Sequence, residues 1–173
     1  MLTRLNDNIA RAFLLLAAIL AFLLCFLVVG DVLGRVVFNT PIKGTPEIVS
    51  MSIVIICFLQ AAFAIRSGGM LNVDVFVKKL SPAGQSWMTA AGALLGAALF
   101  GFLCYASLEG AAHAWNSNEF EGEGALRVPV WPTRFVVVLG TALAATSYLL
   151  MLAENARLAL AGLPPTAAAG TSH

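Results

Sequence analysis

The chain has 173 residues, is 60% hydrophobic and 11% charged, and carries a net charge of +1 with a mean hydropathy of +0.88. A water-soluble domain of this length needs far more polar surface, and no basic run marks a nucleic-acid partner. A transmembrane helix takes roughly 20 apolar residues to cross ~30 Å of hydrocarbon, so the chain holds about four spans, short links and two short tails, leaving no room for a soluble domain.

The first apolar stretch runs from Ala12 to Gly30, behind Arg4 and Arg11. It is too long for a signal-peptide core and no small-residue cleavage site follows it, so it reads as an uncleaved span. The helix continues into Asp31-Val-Leu-Gly-Arg35, where Asp31 and Arg35 share a face and can pair at the membrane interface. A short loop, 38–44, leads to Thr45-Pro46-Glu47, which reads as a helix start. Thr45 offers a capping hydroxyl, Pro46 a first-turn residue whose missing N–H is not needed, and Glu47 an acid at the positive end of the dipole.

The second apolar stretch, Ile48 to Ile65, ends at Arg66-Ser-Gly-Gly69. Leu71 to Leu80 is too short and too charged to cross, and is expected to lie as an interfacial amphipathic segment with Lys78 and Lys79 at headgroup level. Ser81-Pro82 repeats the cap-plus-proline signature. The third helix then runs unbroken from Ala83 to about Trp115, which at 1.5 Å per residue is roughly 50 Å. It must tilt, or its end with Glu109 and His113 must emerge from the bilayer. The link that follows is acidic, with Glu119, Glu121 and Glu123, and Pro129 and Pro132 punctuate the approach to the fourth span, Phe135 to Ala153. The expected architecture is an all-α integral membrane domain, 1–162, with spans at about 12–35, 47–65, 83–115 and 133–155. A disordered tail, 163–173, closes it.

Basic residues set the expected orientation. With the N-terminus inside, Arg4, Arg11, Arg66, Lys78, Lys79 and Arg157 face the cytoplasm, while Arg35, Lys43, Arg127 and Arg134 stay outside. Both termini are then cytoplasmic. Trp87, Trp115 and Trp131 fall at span ends, as aromatic belts require.

Little in the spans suggests chemistry. No Asp, Glu, Lys or Arg lies deep inside any of them, and Cys25, Cys57 and Cys104 each stand alone in a different span, as packing residues do. Glu109 and His113, at i and i+4, are the nearest thing to a reactive pair and read as an interfacial pair on an emerging helix. Haem held between helices typically needs paired histidines, and only His113 and His173 exist. Gly92 and Gly96 form a GxxxG motif and Gly140 pairs with Ala144, spacings that let helices approach closely within the chain or against a partner. Ser50, Ser52 and Gln60 could bond between helices or line a path.

The stretch Leu33-Gly-Arg35-Val-Val-Phe38-Asn39-Thr-Pro41-Ile-Lys-Gly-Thr-Pro-Glu47 resembles the first loop of the DctQ-type small membrane subunit of tripartite ATP-independent periplasmic (TRAP) transporters. Ala64-Ile-Arg66-Ser-Gly-Gly-Met70-Leu-Asn-Val73-Asp74 looks like that family's cytoplasmic turn. Leu126-Arg127-Val-Pro129-Val-Trp131-Pro132, followed by Gly140, is similar to its approach to the last helix. The resemblance covers roughly residues 10 to 155.

It implies a non-catalytic subunit in the bacterial inner membrane that stiffens a large permease subunit. The large subunit would carry the sodium and substrate sites, so no cofactor is expected here. A periplasmic binding protein would deliver an organic acid, commonly a carboxylate. Under the resemblance Arg35 and Glu47 are interfacial anchors near the outer face, and Arg66 and Asp74 fix the cytoplasmic turn. Pro129, Trp131 and Pro132 shape the surface beneath the binding protein, while Gly92, Gly96 and Gly140 serve helix packing. The competing readings are a self-sufficient four-helix proton-coupled exporter and a membrane anchor for a redox enzyme. The exporter would need a membrane-embedded carboxylate, and Glu109 lies too near a span end.

Overall fold

The computed structural model describes residues 2–40, 42–67, 81–121 and 127–165. Its helices are α1 (Leu2–Val37), α2 (Thr45–Arg66), α3 (Pro82–Asn116) and α4 (Trp131–Leu160), each long and apolar enough to cross a membrane. The chain is therefore an all-α, multi-pass membrane fold. Between α3 and α4 a small hairpin forms, in which β1 (Phe120–Glu121) pairs antiparallel with β2 (Val128–Pro129). The sequence reading has only an acidic link there, because two-residue strands leave no periodic signal.

Helix boundaries show where packing overrides composition. α1 begins at Leu2, ahead of the first apolar stretch. Asn6, Ala10, Ala17 and Asp31 are buried, with Phe13, Leu20, Leu24 and Leu27 half-buried between them. That three-and-four spacing makes one continuous seam, and the seam begins inside the polar stretch that hydropathy discounts. α4 likewise runs on to Leu160, because Asn155 and Ala159 remain buried beyond the apolar run.

The start of α2 corrects an expectation. Gly44, at φ 83°, is its N-cap residue, and no side chain caps the helix. The Thr45 hydroxyl instead donates to the Ile42 carbonyl at 3.0 Å, tying the helix to its preceding loop. Pro46 does fall in the first turn. At α3 the expected cap forms, with Ser81 Oγ accepting from the Gly84 N–H at 3.3 Å.

The helices form an open series of neighbours, α1–α2–α4–α3, rather than a closed ring. α3 packs on α4 and makes no substantial contact with α1 or α2, while α1 touches α4 only slightly. Small residues build the seams. Ala90, Ala93, Ala97, Ala111 and Ala114 are buried on α3, and a Cβ added at Gly96 would lie 2.6 Å from the Tyr148 ring of α4. A Cβ at Gly140 of α4 would lie 2.6 Å from the Phe58 carbonyl oxygen of α2. Without a hydrophobic driving force between helices in lipid, such close backbone approach supplies the van der Waals contact that holds them.

Asp74, the interfacial segment expected over 71–80 and residues 166–173 lie outside the described residues. Leu163, placed in the tail by the sequence reading, is tied back to the bundle. Its carbonyl accepts from Ser86 Oγ at 2.7 Å and its N–H donates to the Leu158 carbonyl at 2.9 Å.

Candidate functional site

Alternating helix direction puts residues 38–40, 42–44, 117–121 and 127–130 at one end, and Leu2, Arg66 and Leu160 at the other. Polar contacts concentrate at these two ends. At the loop end, Asp31 sits in the last turns of α1 with its side chain 9% exposed. One carboxylate oxygen accepts from Arg35 at 2.8 Å, and the other accepts the Ile42 N–H at 2.8 Å. The local pair is visible in the sequence spacing, whereas the bond to Ile42 depends on how the loop folds back. Asp31 is thus the buried centre of this latch, and Arg35, expected as the anchor, is 61% exposed.

Glu47, the other expected anchor, stands in the first turn of α2, half-buried. One of its carboxylate oxygens is fully shielded and accepts no hydrogen bond.

At the opposite end Arg66 closes α2. Its Nε donates to Asp7 Oδ1 at 2.8 Å, and a second guanidinium nitrogen lies 3.5 Å from Asp7 Oδ2. The third nitrogen is 3.6 Å from Glu154 Oε2. One planar guanidinium therefore joins α1, α2 and α4, a geometry that suits arginine's fixed fork of donors. Beside it the Asn6 carboxamide donates to Ser147 Oγ at 2.8 Å in a buried contact. The sequence reading singles out Arg66 but none of its partners, which lie 59 and 88 residues away along the chain.

The remaining expected positions fall into different settings. Pro129 pairs with Phe120 in the hairpin, and Trp131 and Pro132 open α4. Trp131 meets the Trp115 ring edge-on at 5.2 Å between centroids, and Phe135 completes the cluster at 6.2 Å from Trp131. These rings join the end of α3 to the start of α4. Gly96 and Gly140 stand at helix crossings, whereas Gly92 faces open space, with nothing within 4 Å of an added Cβ.

Ser52 is buried, Ser50 bonds the Glu47 carbonyl of its own helix, and Gln60 makes no hydrogen bond among the described residues. Glu109 and His113 are both exposed and no ion pair joins them. Deeper in the spans, the buried hydroxyls of Thr141 and Ser147 donate to carbonyls one turn back in α4, the usual refuge for a hydroxyl in a lipid-embedded helix.

Among the described residues, four helices long and apolar enough to cross a membrane, with their ion pairs toward the helix ends, define a multi-pass membrane protein. The family model described as tripartite ATP-independent periplasmic transporters, DctQ component, matches residues 24–158, well over half of the chain. The chain belongs to this family, the small permease component of TRAP transporters. Neither a curated protein nor a solved structure matches it significantly.

Proposed function

We propose that this small permease component is a non-catalytic scaffold that seats and stiffens the large permease subunit. The assembled transporter takes up an organic acid, a carboxylate delivered by a periplasmic binding protein, coupled to sodium bound by the large subunit. The chain lies in the bacterial inner membrane with both termini cytoplasmic. Arg35, Glu47 and the hairpin with Pro129, Trp131 and Pro132 then face the periplasm, and Arg66 faces the cytoplasm.

The observation that carries this reading is the placement of charge. Ion-coupled carriers put ionisable groups within the membrane along the ion path. Here the ion-paired acids Asp7, Asp31 and Glu154 all lie toward helix ends and are spent on holding helices together. Between the ends, the buried residues among those described are apolar or hydroxyl-bearing, among them Ala17, Leu59, Ala62, Thr141 and Ser147. Such an arrangement suits a subunit that holds a position.

The decisive experiment reconstitutes the chain in liposomes alone, with the large subunit, and with both large subunit and binding protein. Sodium-driven uptake of an organic acid is expected only in the complete system. Proton-driven movement of substrate by the chain alone would overturn the scaffold reading in favour of a self-sufficient exporter.

A further inference from the structure

We infer that the exposed face of the first turns of α1, carrying Arg4, Asn8 and Arg11, binds an anionic phospholipid through its headgroup phosphate. This binding is independent of the transporter reading and of which side of the membrane the N-terminus occupies.

The rise of 20 residues from Arg11 to Asp31 covers about 30 Å, the thickness of the hydrocarbon core, and no charged residue intervenes. With the Asp31 latch at one interface, Arg11 falls at the other. Arg4 lies about 10 Å further along the helix, where its long side chain reaches the same headgroup layer.

The direction of these side chains follows from the helix. Within the span Leu15, Ile19, Phe22 and Phe26 are all more than half exposed and share one face, at spacings of three and four residues. Carried back toward the N-terminus, the same spacing gives Arg11, Asn8 and Arg4, all exposed. The face that meets lipid tails in the span therefore becomes arginine-bearing at headgroup depth.

Neither guanidinium has an ion-pair or hydrogen-bond partner among the described residues. Asp7 is the nearest acid along the chain, three residues after Arg4 and four before Arg11, but both its carboxylate oxygens are turned to Arg66. Arg157, also exposed at this end, differs: it stands alone in the last turn of α4, where the helix carbonyls offset its charge.

Two unpaired guanidiniums on a lipid-facing stripe at this depth have headgroup phosphates as their nearest anions. The planar fork of arginine matches phosphate oxygens, and the Asn8 carboxamide between the two can donate to a glycerol or phosphate oxygen. The occupant is an anionic lipid, because the choline or ethanolamine cation of a zwitterionic one would meet the same two arginines. Its acyl chains then run along Leu15 and Ile19.

The test places the full chain in micelles with equal amounts of phosphatidylglycerol and phosphatidylcholine, and native mass spectrometry counts the lipids retained. Wild type should retain phosphatidylglycerol about fivefold or more over phosphatidylcholine, as attraction by two arginines allows. In Arg4→Gln/Arg11→Gln the two lipids should be retained equally. Arg4→Lys/Arg11→Lys should keep most of the preference, and Arg157→Gln should keep all of it. Inorganic phosphate should not displace the lipid.

Equal retention of both lipids by wild type would overturn the assignment, as would an undiminished preference in the double glutamine variant. An equal loss in Arg157→Gln would replace the site with a diffuse positive field, and displacement by inorganic phosphate would make it a site for free anions. Should the double variant fail to fold, Arg11→Gln alone decides, by losing at least half of the preference. A photo-reactive benzoylphenylalanine in place of Asn8 reads the same face in native membranes. Adducts with phospholipid are expected, and an adduct with the large permease subunit or a second copy of this chain would overturn the lipid assignment.

Discussion

At Gly140 the nearest atom to an added Cβ is a backbone oxygen of α2, 2.6 Å away, and a helix backbone cannot swing aside as a side chain can. At Gly92 there is nothing to meet. Gly140→Ala should therefore destabilise the fold by about 1–3 kcal/mol, the usual penalty of overpacking. Gly92→Ala should be neutral or stabilising by up to ~1 kcal/mol, since alanine favours helix over glycine. Thermal unfolding in detergent micelles reads both. Gly96→Ala falls between them, because the group it meets is the Tyr148 ring, which can turn. The GxxxG spacing alone marks Gly92 and Gly96 as equivalent. Only the direction of the neighbouring helix distinguishes them, and that direction is a tertiary property.

The helices themselves are legible because hydropathy and proline placement are local signals, and α3 spans Pro82–Asn116 much as its sequence indicates. What sequence hides is contact between distant segments. Asp31 and Arg35 can be paired by eye, four residues apart on one helix, but the Ile42 N–H that makes Asp31 a loop latch cannot. Thr45 looks like a cap and instead bonds backward, because Gly44 takes the left-handed position before it. The early start of α1 was obscured by Asn6 and Asp7, polar residues that suggest a tail until Ser147 and Arg66 are seen beside them. Arg66→Ala should therefore loosen α2 from both α1 and α4, by about 1.5–3 kcal/mol, as for hydrogen bonds to charged groups. Arg66→Lys should recover only part of this, since a single ammonium cannot reproduce the fork. Hydrogen exchange at the N-terminal turns of α1 would show the loss where melting temperature alone reports only its sum.

On the scale of the whole molecule, charge sits at the ends, small residues in the seams and bulky apolar side chains on the outer surfaces of α1 and α3. Glu109 and His113, exposed near the loop end of α3, are outside every seam. Replacing them with Ala and Gln should leave uptake by the assembled transporter nearly intact, and a collapse of uptake with normal assembly would assign them a role. The open series α1–α2–α4–α3 also makes the molecule's resistance to force directional. Pulled from the N-terminus, α1 can leave while α2, α4 and α3 keep their mutual contacts. Pulled from the C-terminus, α4 must come first, and it is the one helix on which α3 has substantial purchase. Extraction from that side strips two helices of their support in a single event, so the same four spans should yield in different numbers of steps depending on which terminus is gripped.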